Sequence, residues 1–289
     1  MNETTVPAAP KTASGLVENL TKDLKNQKLD IPGFPDIAMR LNRALQDENV
    51  AVAEVVSLIN SEPALVSRLI GLSNSAAFNP SNQSIADLKT AVARLGFKIV
   101  WGAAASYSIR QLEQQEWLRP VRPWLAEIWL NSNAVAAICF VVAKKIRILP
   151  ADEALVAGLL HRIGNLYLLT YSQRHGIDIQ TDPAWDKVVE KWHANIAREI
   201  LRRWGLPSHV ADTVGYQDAM ASNDADDLTP FAKLLSGAKL YNAVRDQQGS
   251  QLATEAAAVL AATELWGYSF LDLVADCHDE IAAMRSSMG

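Results

Sequence analysis

Apolar residues recur along this chain at the spacing of an amphipathic helix. The i, i+3, i+4, i+7 pattern is plainest in two short stretches, formed by Val52, Val55, Val56 and Ile59 and by Leu88, Val92 and Leu95. Sustained alternation of apolar and polar residues, which is typical of a β-strand, does not appear. The pattern therefore predicts an all-α protein.

Helix ends are also marked in the sequence. Three N-terminal signals are predicted, namely caps at Asp182–Pro183 and Thr229–Pro230 and a capping box at Ser84 and Asp87. One C-terminus is especially clear, because Gly205 suits the left-handed position after a helix and Pro207 blocks continuation. That helix is predicted to run from about Ala184 to Trp204.

Two interruptions divide the helical pattern. Pro120 and Pro123 break it near residues 116–123, and the acidic sequence MASNDADDL breaks it again at 220–228. We therefore predict a helical N-terminal half up to about residue 120, a second half from about 121 to 222, and a helical C-terminal extension over 223–289. Residues 1–14 lack periodicity and are predicted to be a flexible leader.

Composition narrows the class of protein. The chain has 289 residues, 49% hydrophobic and 20% charged, which is typical of a globular protein with a sizeable core. With 27 Lys+Arg against 32 Asp+Glu the net charge is −5, so no nucleic-acid partner is expected. The longest apolar run, Ala134–Ala143, is shorter than the roughly 20 residues of a membrane span, and it predicts a buried helix. No membrane association is expected.

Cysteine usage points to the cytoplasm. Two cysteines are too few for a disulfide framework or a four-thiolate zinc site, and the N-terminus lacks the pattern of a signal peptide. Cys139 lies in the apolar sequence AAICFVV, where burial would raise the pKa of its thiol, so we do not expect a nucleophile there. The eight tryptophans are interpreted as core residues, although a base-stacking surface is the alternative.

Motifs of several large enzyme classes are missing from the sequence. It contains no G-x-S-x-G elbow, no Walker phosphate loop and no G-x-G-x-x-G fingerprint. Of the five histidines, His161 and His193 are candidates for a functional role. Each lies in an apolar, helical stretch, where a polar ring needs a hydrogen-bond partner. The alternative is that each is a hydrogen-bonded core residue.

The residues around His161 resemble the signature of the HD-domain phosphohydrolases. GLLHRIG at 158–164 is similar to that family's G-L-L-H-D-I-G, with Arg162 in place of the metal-binding aspartate. Trp129-Leu130-Asn131-Ser132 resembles W-x-H-S, with Asn131 at a ligand position. The stretch ending at residue 218 resembles one that ends in a His-His pair, with Gln217 and Asp218 at those two positions.

Further motifs in the N-terminal half resemble the HDOD domain, the HD-related output domain of bacterial signalling. They are LDIPGFPDIA at 29–38, SEPALVSRL at 61–69, SNSAAF at 73–78, Ser84-Ile85 and AVARLG at 91–96. The resemblance covers residues 28 to 222 approximately. It implies an all-α fold, with an N-terminal helical layer packed on a degenerate HD-like bundle, and a regulatory, noncatalytic role.

The residue types also argue against a hydrolytic metal. Such a metal needs about three or four converging ligands and an open position for water. His161 and His193 supply two, Asn131 and Gln217 are weak neutral donors, and Arg162 adds a fixed positive charge. An alternative site would have to draw on Asp152, Asp212 and Asp218, which we interpret as surface or capping residues, with Asp212 able to pair with His209. We therefore expect no catalytic residues, metal or cofactor.

Three functions remain open at this stage. The first is a signalling adaptor that binds other signalling proteins in trans, such as a kinase, a response regulator or a cyclic-dinucleotide enzyme. The second is a sensor that binds a nucleotide or other anion in the vestigial pocket formed by Asn131, His161, Arg162, His193, Gln217 and Asp218, unless Arg162 merely pairs with an acidic neighbour. The third is a residual metal-dependent phosphohydrolase.

For the adaptor, we expect a contact region at the seam between the N-terminal layer and the HD-like bundle. Arg68 and Lys89 are expected to be exposed there. Pro63 is expected to begin a helix, Leu65 and Leu69 to be buried, and Asn74 to brace a turn.

Overall fold

The computed structural model describes residues 33–47, 49–81, 83–221, 228–245 and 251–288, with a few isolated positions before residue 33. Most of the leader at 1–14 and most of the boundary at 220–228 lie outside the described residues. The N-terminal half is made of short helices joined by tight turns. They are α1 (Asp36–Leu45), α2 (Val52–Ile59), α3 (Pro63–Asn74), α4 (Leu88–Leu95), α5 (Phe97–Leu112) and a 3-10 helix (Glu116–Val121).

The second half is built around one long helix. Its elements are α6 (Arg122–Ile146), α7 (Ala151–Leu160), α8 (Ile163–Arg174), α9 (Trp185–Arg203) and α10 (Ser208–Gly215). The C-terminal extension contributes α11 (Pro230–Arg245), α12 (Gln251–Ala261), α13 (Phe270–Asp276) and α14 (His278–Met288). A two-residue hairpin, Glu264–Leu265 with Tyr268–Ser269, is the one sheet in the described part of the chain. The all-α prediction is confirmed.

Helix α6 lies at the centre of the molecule. It packs on α7 most extensively and also contacts α5, α11 and α14. Helix α5 in turn packs on α7 and carries α1 and α4, so the N-terminal layer rests on the second half through α5. The C-terminal helix α14 contacts both α6 and α3. The extension is therefore part of the same packed body, and Met284 and Met288 are fully buried in it.

Most of the predicted helix ends are confirmed. Proline begins α3 and α11, and the Oγ1 atom of Thr229 accepts a hydrogen bond from Ala232 N at 3.2 Å. Gly205 follows α9 with φ of +79°. Two N-terminal predictions are wrong in detail. Asp87 itself caps α4 by accepting from Thr90 N at 2.8 Å, without Ser84 as a cap, and α9 begins at Trp185, two residues after Pro183.

The apolar run at 134–143 forms the buried middle of α6, as predicted. Among the described residues, one helical segment, Glu116–Ile146, is long and apolar enough to cross a membrane, and 78% of its apolar window is buried inside the protein. Cys139 is fully buried, and burial raises the pKa of its thiol. Apart from Trp117, which is 40% exposed, the tryptophans lie in the core or pack against it, as interpreted from the sequence.

Candidate functional site

The six predicted site residues belong to two hydrogen-bonded groups. Asn131 and Arg162 share Glu127, whereas Gln217, Asp218 and Lys239 connect the backbone of His161 to the ring of His193. The six residues are supplied by α6 (Asn131), the α7–α8 junction (His161 and Arg162), α9 (His193) and the turn after α10 (Gln217 and Asp218). A cavity of about 310 Å³ opens between α6, the α7–α8 junction and α11. Its walls come from α6, the α7–α8 junction and α11, through Glu127, Asn131, Val135, His161, Arg162, Lys239, Asn242 and Ala243.

His161 ends α7 and is buried against the backbone. Its Nδ1 atom lies 2.8 Å from the carbonyl oxygen of Gly158, which can only accept, so Nδ1 carries the proton and Nε2 is left as an acceptor. Burial is the main cause that lowers the pKa of His161 well below the usual range, and the charge of Lys239 adds to it. His161 is therefore neutral at pH 7.

His193 is held by a close approach of two helices. A Cβ atom on Gly164 of α8 would lie 1.9 Å from the carbonyl oxygen of His193, so only glycine permits α9 to come this near. The Nε2 atom of His193 lies 2.9 Å from a carboxylate oxygen of Asp218, while Nδ1 is buried without a hydrogen-bond partner. Burial lowers the pKa of His193, although its hydrogen bond to Asp218 opposes this.

Lys239, in the extension, is the central cation of the site. Its Nζ atom donates to the Oε1 atom of Gln217 at 3.0 Å and forms a closer ion pair with Asp218. Burial by itself would raise the pKa of Asp218, but the hydrogen bond from His193 and the charge of Lys239 outweigh it and hold that pKa well below its usual range. Asp218 is therefore a carboxylate already engaged by two donors.

Gln217 is a buried connector. Its Nε2 atom donates to the carbonyl oxygen of His161 at 2.8 Å and to that of Val214 at 3.1 Å, and its Oε1 atom accepts from Lys239. Both ends of the side-chain amide are thus used within the protein. Its role in this position is to join the end of α7 to α11.

Arg162 pairs with an acidic neighbour, as the simpler of its two sequence interpretations predicted. Its Nη1 atom donates to the Oε1 atom of Glu127 at 3.1 Å. Asn131 Nδ2 donates to the same oxygen at 3.3 Å, and Asn131 Oδ1 accepts from Asn242 Nδ2 at 2.8 Å. The side chain of Glu127 is 58% exposed, so the pair lies at the mouth of the cavity.

These residues do not fit a hydrolytic metal. Gln217 and Asp218, two of the oxygen-bearing side chains near His161 and His193, are bound to the ammonium group of Lys239. A divalent ion here would have to displace that cation and would then face the guanidinium of Arg162. In the described part of the chain, no three His, Cys, Asp or Glu residues converge with ligand geometry.

The aspartates of the alternative site each pair with a different basic residue. Asp152 is 3.5 Å from Lys98, and Asp212 is 2.6 Å from Arg202. The suggested Asp212–His209 pair is wrong. His209 instead binds the buried Glu153 at 2.6 Å, because α10 packs on α7 at this point.

Sequence reasoning missed Glu127, Lys239 and Asn242. Glu127 lies four residues before Asn131, and helical periodicity places the two on one face of α6. Nothing in the sequence links Lys239 and Asn242 to His161, since they follow the break at 220–228 and reach the site only through the packing of α11 on α6 and α7.

The seam between the two halves has its own polar core. The guanidinium of Arg68 lies 5.2 Å from the ring centre of Trp129, that of Arg110 lies 5.1 Å away, and Arg68 Nη2 donates to Asn133 Oδ1 at 3.0 Å. Burial lowers the pKa of Arg68 to about 10. The expectation that Arg68 is solvent-exposed is therefore wrong, because α6 covers it, whereas Lys89 is exposed as expected.

Other seam predictions are confirmed. Leu65 and Leu69 are fully buried. Asn74 braces the turn after α3, since its side chain donates to the carbonyl oxygen of Ile85 at 2.7 Å and accepts from Ile85 N at 2.8 Å. The motifs of the N-terminal half thus have internal structural roles.

Comparison with solved structures places this fold among HD-related helical proteins. A protein from Shewanella amazonensis SB2B, provisionally named a metal-dependent phosphohydrolase, superposes with a TM-score of 0.70 at 23% identity over 96% of this chain and 99% of its own. An HDOD domain protein of unknown function from Geobacter sulfurreducens gives a TM-score of 0.57 at 20% identity over 94% and 98% of the two chains. The likeness extends over the C-terminal extension as well.

The sequence defines the family more narrowly. The HDOD domain model matches residues 31–220, and the chain belongs to the HDOD family. A protein of uncharacterised function from Treponema pallidum (strain Nichols) is 25% identical over 205 residues, which is 65% of this chain. The match spans 37% of the length of that relative.

Proposed function

We propose that this protein is a noncatalytic, cytoplasmic signalling component whose output is association with another protein. The observation that carries the proposal is Lys239. Its ammonium group engages Asp218 and Gln217, so the side chains at the two positions where HD phosphohydrolases have a His-His pair bind an internal cation instead. Membership of the HDOD family agrees with a signalling role.

The side chains retained at the site then have a structural purpose. His161, His193 and Gln217 are buried and tie α7, α9, α10 and α11 together. A buried polar network of this kind holds its helices in one arrangement, since a broken member leaves its partners unsatisfied. On this proposal, the former site stabilises the surface that the partner recognises.

The partner is proposed to be a signalling protein that joins in trans at the outer face of the seam. Helices α3 and α4 pack together there and expose small and polar side chains, namely Ala64, Ser67, Gly71, Lys89 and Thr90. Transient signalling contacts can bury less than about 1,200 Å² of surface in total. A face made of two short helices can supply an area of this size.

The test is affinity capture with the whole chain, followed by quantitative binding to the captured protein. Ser67→Arg and Lys89→Glu alter the exposed face without touching the core, and we expect each to weaken binding at an unchanged melting temperature. Lys187→Glu, an exposed charge reversal on α9, is the matched control and should bind like the wild type. Equal binding by all three variants would refute the proposed surface.

A sensor of small anions is a second candidate function. It is favoured by the cavity of about 310 Å³, in which Arg162, Lys239 and His161 are all wall residues. Against it, both cations already have carboxylate partners. Thermal-shift measurements with nucleotides distinguish the two functions, since a ligand at 100 times its Kd stabilises by about 2.7 kcal/mol.

A residual phosphohydrolase is the third and least supported function. Phosphodiesterase turnover by the metal-supplemented wild type, abolished by His161→Ala, would establish it in place of the adaptor. We expect the wild type to show no more phosphodiesterase turnover than His161→Ala. We also expect folded His161→Ala to bind the partner as the wild type does.

A further inference from the structure

A second cavity lies between the N-terminal layer and the second half of the protein. Its volume is about 230 Å³, and it has no described wall residue in common with the cavity that His161 lines. Helices α1 and α5 form one side, and α7, α10 and the turn after α9 form the other. Most of the wall residues are apolar, and three are aromatic. We call this space the aromatic cavity.

The three aromatic side chains are fixed in position. Phe97 and Trp101 come from successive turns of α5, and Trp204 follows the end of α9. The rings of Trp101 and Trp204 meet edge to face, with their centres 5.9 Å apart, and both side chains are packed in the core. The wall therefore offers flat, rigid surfaces on which a planar ring can pack.

Polar contacts hold the two sides of the cavity together. The Nδ2 atom of Asn42 in α1 donates to the carbonyl oxygen of Trp204 at 2.9 Å. The Nζ atom of Lys98 in α5 donates to Oε1 of Glu153 in α7, also at 2.9 Å, and α5 packs directly on α7. The cavity is therefore pre-formed, as small-molecule sites usually are.

The wall carries no net charge. Lys98 and Glu153 are the charged residues among the described wall residues, and they pair with each other. Lys98 also lies 3.5 Å from Asp152, and the second carboxylate oxygen of Glu153 lies 2.6 Å from His209 Nε2. Because the cation and the anion each have two partners, neither is available to bind a charged ligand. The cavity is suited to a neutral molecule.

A carboxamide at the rim supplies hydrogen-bonding groups. The side chain of Gln46 is exposed in the turn after α1, and it makes no hydrogen bond to another residue in the described part of the chain. A Cβ atom on Gly205 would lie 3.5 Å from Gln46 Nε2, so the amide reaches towards the turn after α9. A carboxamide presents a donor and an acceptor side by side, and a cyclic amide has the complementary edge.

We propose that the aromatic cavity binds a neutral, planar two-ring heterocycle with an N–H next to a C=O. The rings pack against Phe97, Trp101 and Trp204, and the polar edge exchanges two hydrogen bonds with Gln46. An apolar cavity of about 150 Å³ can hold benzene, so about 230 Å³ leaves room for a second ring. The ligand joins the N-terminal layer to the second half. This site is distinct from the residues around His161 and does not depend on the proposed adaptor function.

The experiment is isothermal titration calorimetry of the full chain with 2-quinolinone. Quinoline has the same two rings without the N–H donor, and quinoline-2-carboxylate adds a negative charge. We expect 2-quinolinone to bind about five-fold more tightly than either, which is the factor that corresponds to one net hydrogen bond. No binding of 2-quinolinone, equal affinity for quinoline, or tighter binding of the carboxylate would overturn the proposal.

Variants of two exposed glutamines locate the site. Gln46→Leu keeps the size of the side chain and removes its amide, and we expect it to weaken binding of 2-quinolinone about five-fold. Gln114→Leu, in the turn after α5, is the matched control and should change the affinity less than about two-fold. Unchanged affinity in Gln46→Leu would contradict the proposal. Equal weakening in both variants would also contradict it, because the probe would then bind elsewhere.

Discussion

The ammonium group of Lys239 lies between a carboxylate of Asp218 and the amide oxygen of Gln217. Asp218 also lies 2.9 Å from His193 Nε2, and the side-chain amide of Gln217 donates to the carbonyl oxygen of His161. An ammonium group can donate hydrogen bonds to both oxygens, whereas a hydrolytic metal also requires a coordination position that is open to water. The electrostatics of the whole cluster therefore depend on one lysine of the C-terminal extension.

Removing the charge of Lys239 should change the pKa of His193. The charge of Lys239 helps to lower the pKa of His193, after burial, so Lys239→Met should raise this pKa towards its usual range. An NMR titration of the histidine ring protons measures the change. Lys89→Met, an exposed control, should leave the pKa of His193 as it is in the wild type. A pKa of His193 that is the same in both variants would contradict the proposed role of Lys239.

The lowered pKa of His161 makes stability depend on pH. The unfolded chain takes up a proton near pH 6.5 while folded His161 remains neutral, so this contribution to stability is complete above about pH 6.5 and is lost as the pH falls. His161→Gln should reduce the slope of unfolding free energy against pH below about pH 6.5, by at most about 1.4 kcal/mol per unit, which is the limit for one proton. Urea unfolding at several pH values measures both slopes, and identical slopes would exclude a neutral buried His161.

At the scale of helices, two close contacts fix the frame around the site. Gly164 brings α8 against α9 at His193, and Gly158 brings α7 against α6, where a Cβ atom would lie 2.4 Å from the Cα atom of Ala136. These glycines flank His161 in the GLLHRIG sequence. The segment that resembles a metal-binding signature is thus also a segment of tight helix packing, and this packing explains its glycines without any metal.

Gly164→Ala should therefore destabilise the protein by about 3 kcal/mol, since the added methyl group meets a backbone carbonyl that cannot move aside easily. Gly71→Ala is the matched control. It lies within α3 with no atom within 4 Å of the added Cβ, and it should stabilise by about 0.5–1 kcal/mol. Chemical denaturation measures both values. Similar small effects in the two variants would mean that α8 and α9 are not in close contact.

Helical periodicity and capping predicted most helices and their ends, because these signals are local. Thr229 caps α11 and Gly205 ends α9 through contacts within a few residues. Arg68 was predicted to be exposed because its neighbours in sequence give no indication that Trp129 covers it. Which face of α3 is buried depends on α6, and the sequence alone does not position one helix on another.

The sequence also does not predict which distant helices meet at the candidate site in the whole molecule. Family resemblance pointed to Asn131 and His161, which line one cavity, and to Asp218, which binds His193 beside it. Lys239 was missed because it belongs to the extension, which no motif in the sequence links to the site. The extension packs on α6 and α3, and Asn133 donates to the carbonyl oxygen of Met288 at 3.2 Å.

A chain that ends at residue 222 should consequently fail to form a stable fold. It would lose Lys239 and the buried side chains of Phe231 and Met284, leaving the core surfaces of α6 and α3 exposed. We expect the truncated chain to lose its cooperative urea transition, whereas deletion of residues 1–11 should leave the transition close to that of the full chain. A cooperative transition of wild-type midpoint in the truncated chain would show that the extension is a separate unit.

The central claim of the proposed function is that an internal lysine, and no metal, completes the site around His161 and His193. Elemental analysis of the purified full-length chain, by plasma mass spectrometry, tests it most directly. The account predicts iron, manganese and zinc far below one equivalent, with the same values in wild type and His161→Ala. About one equivalent of any of these metals in the wild type, lost in His161→Ala, would contradict the account.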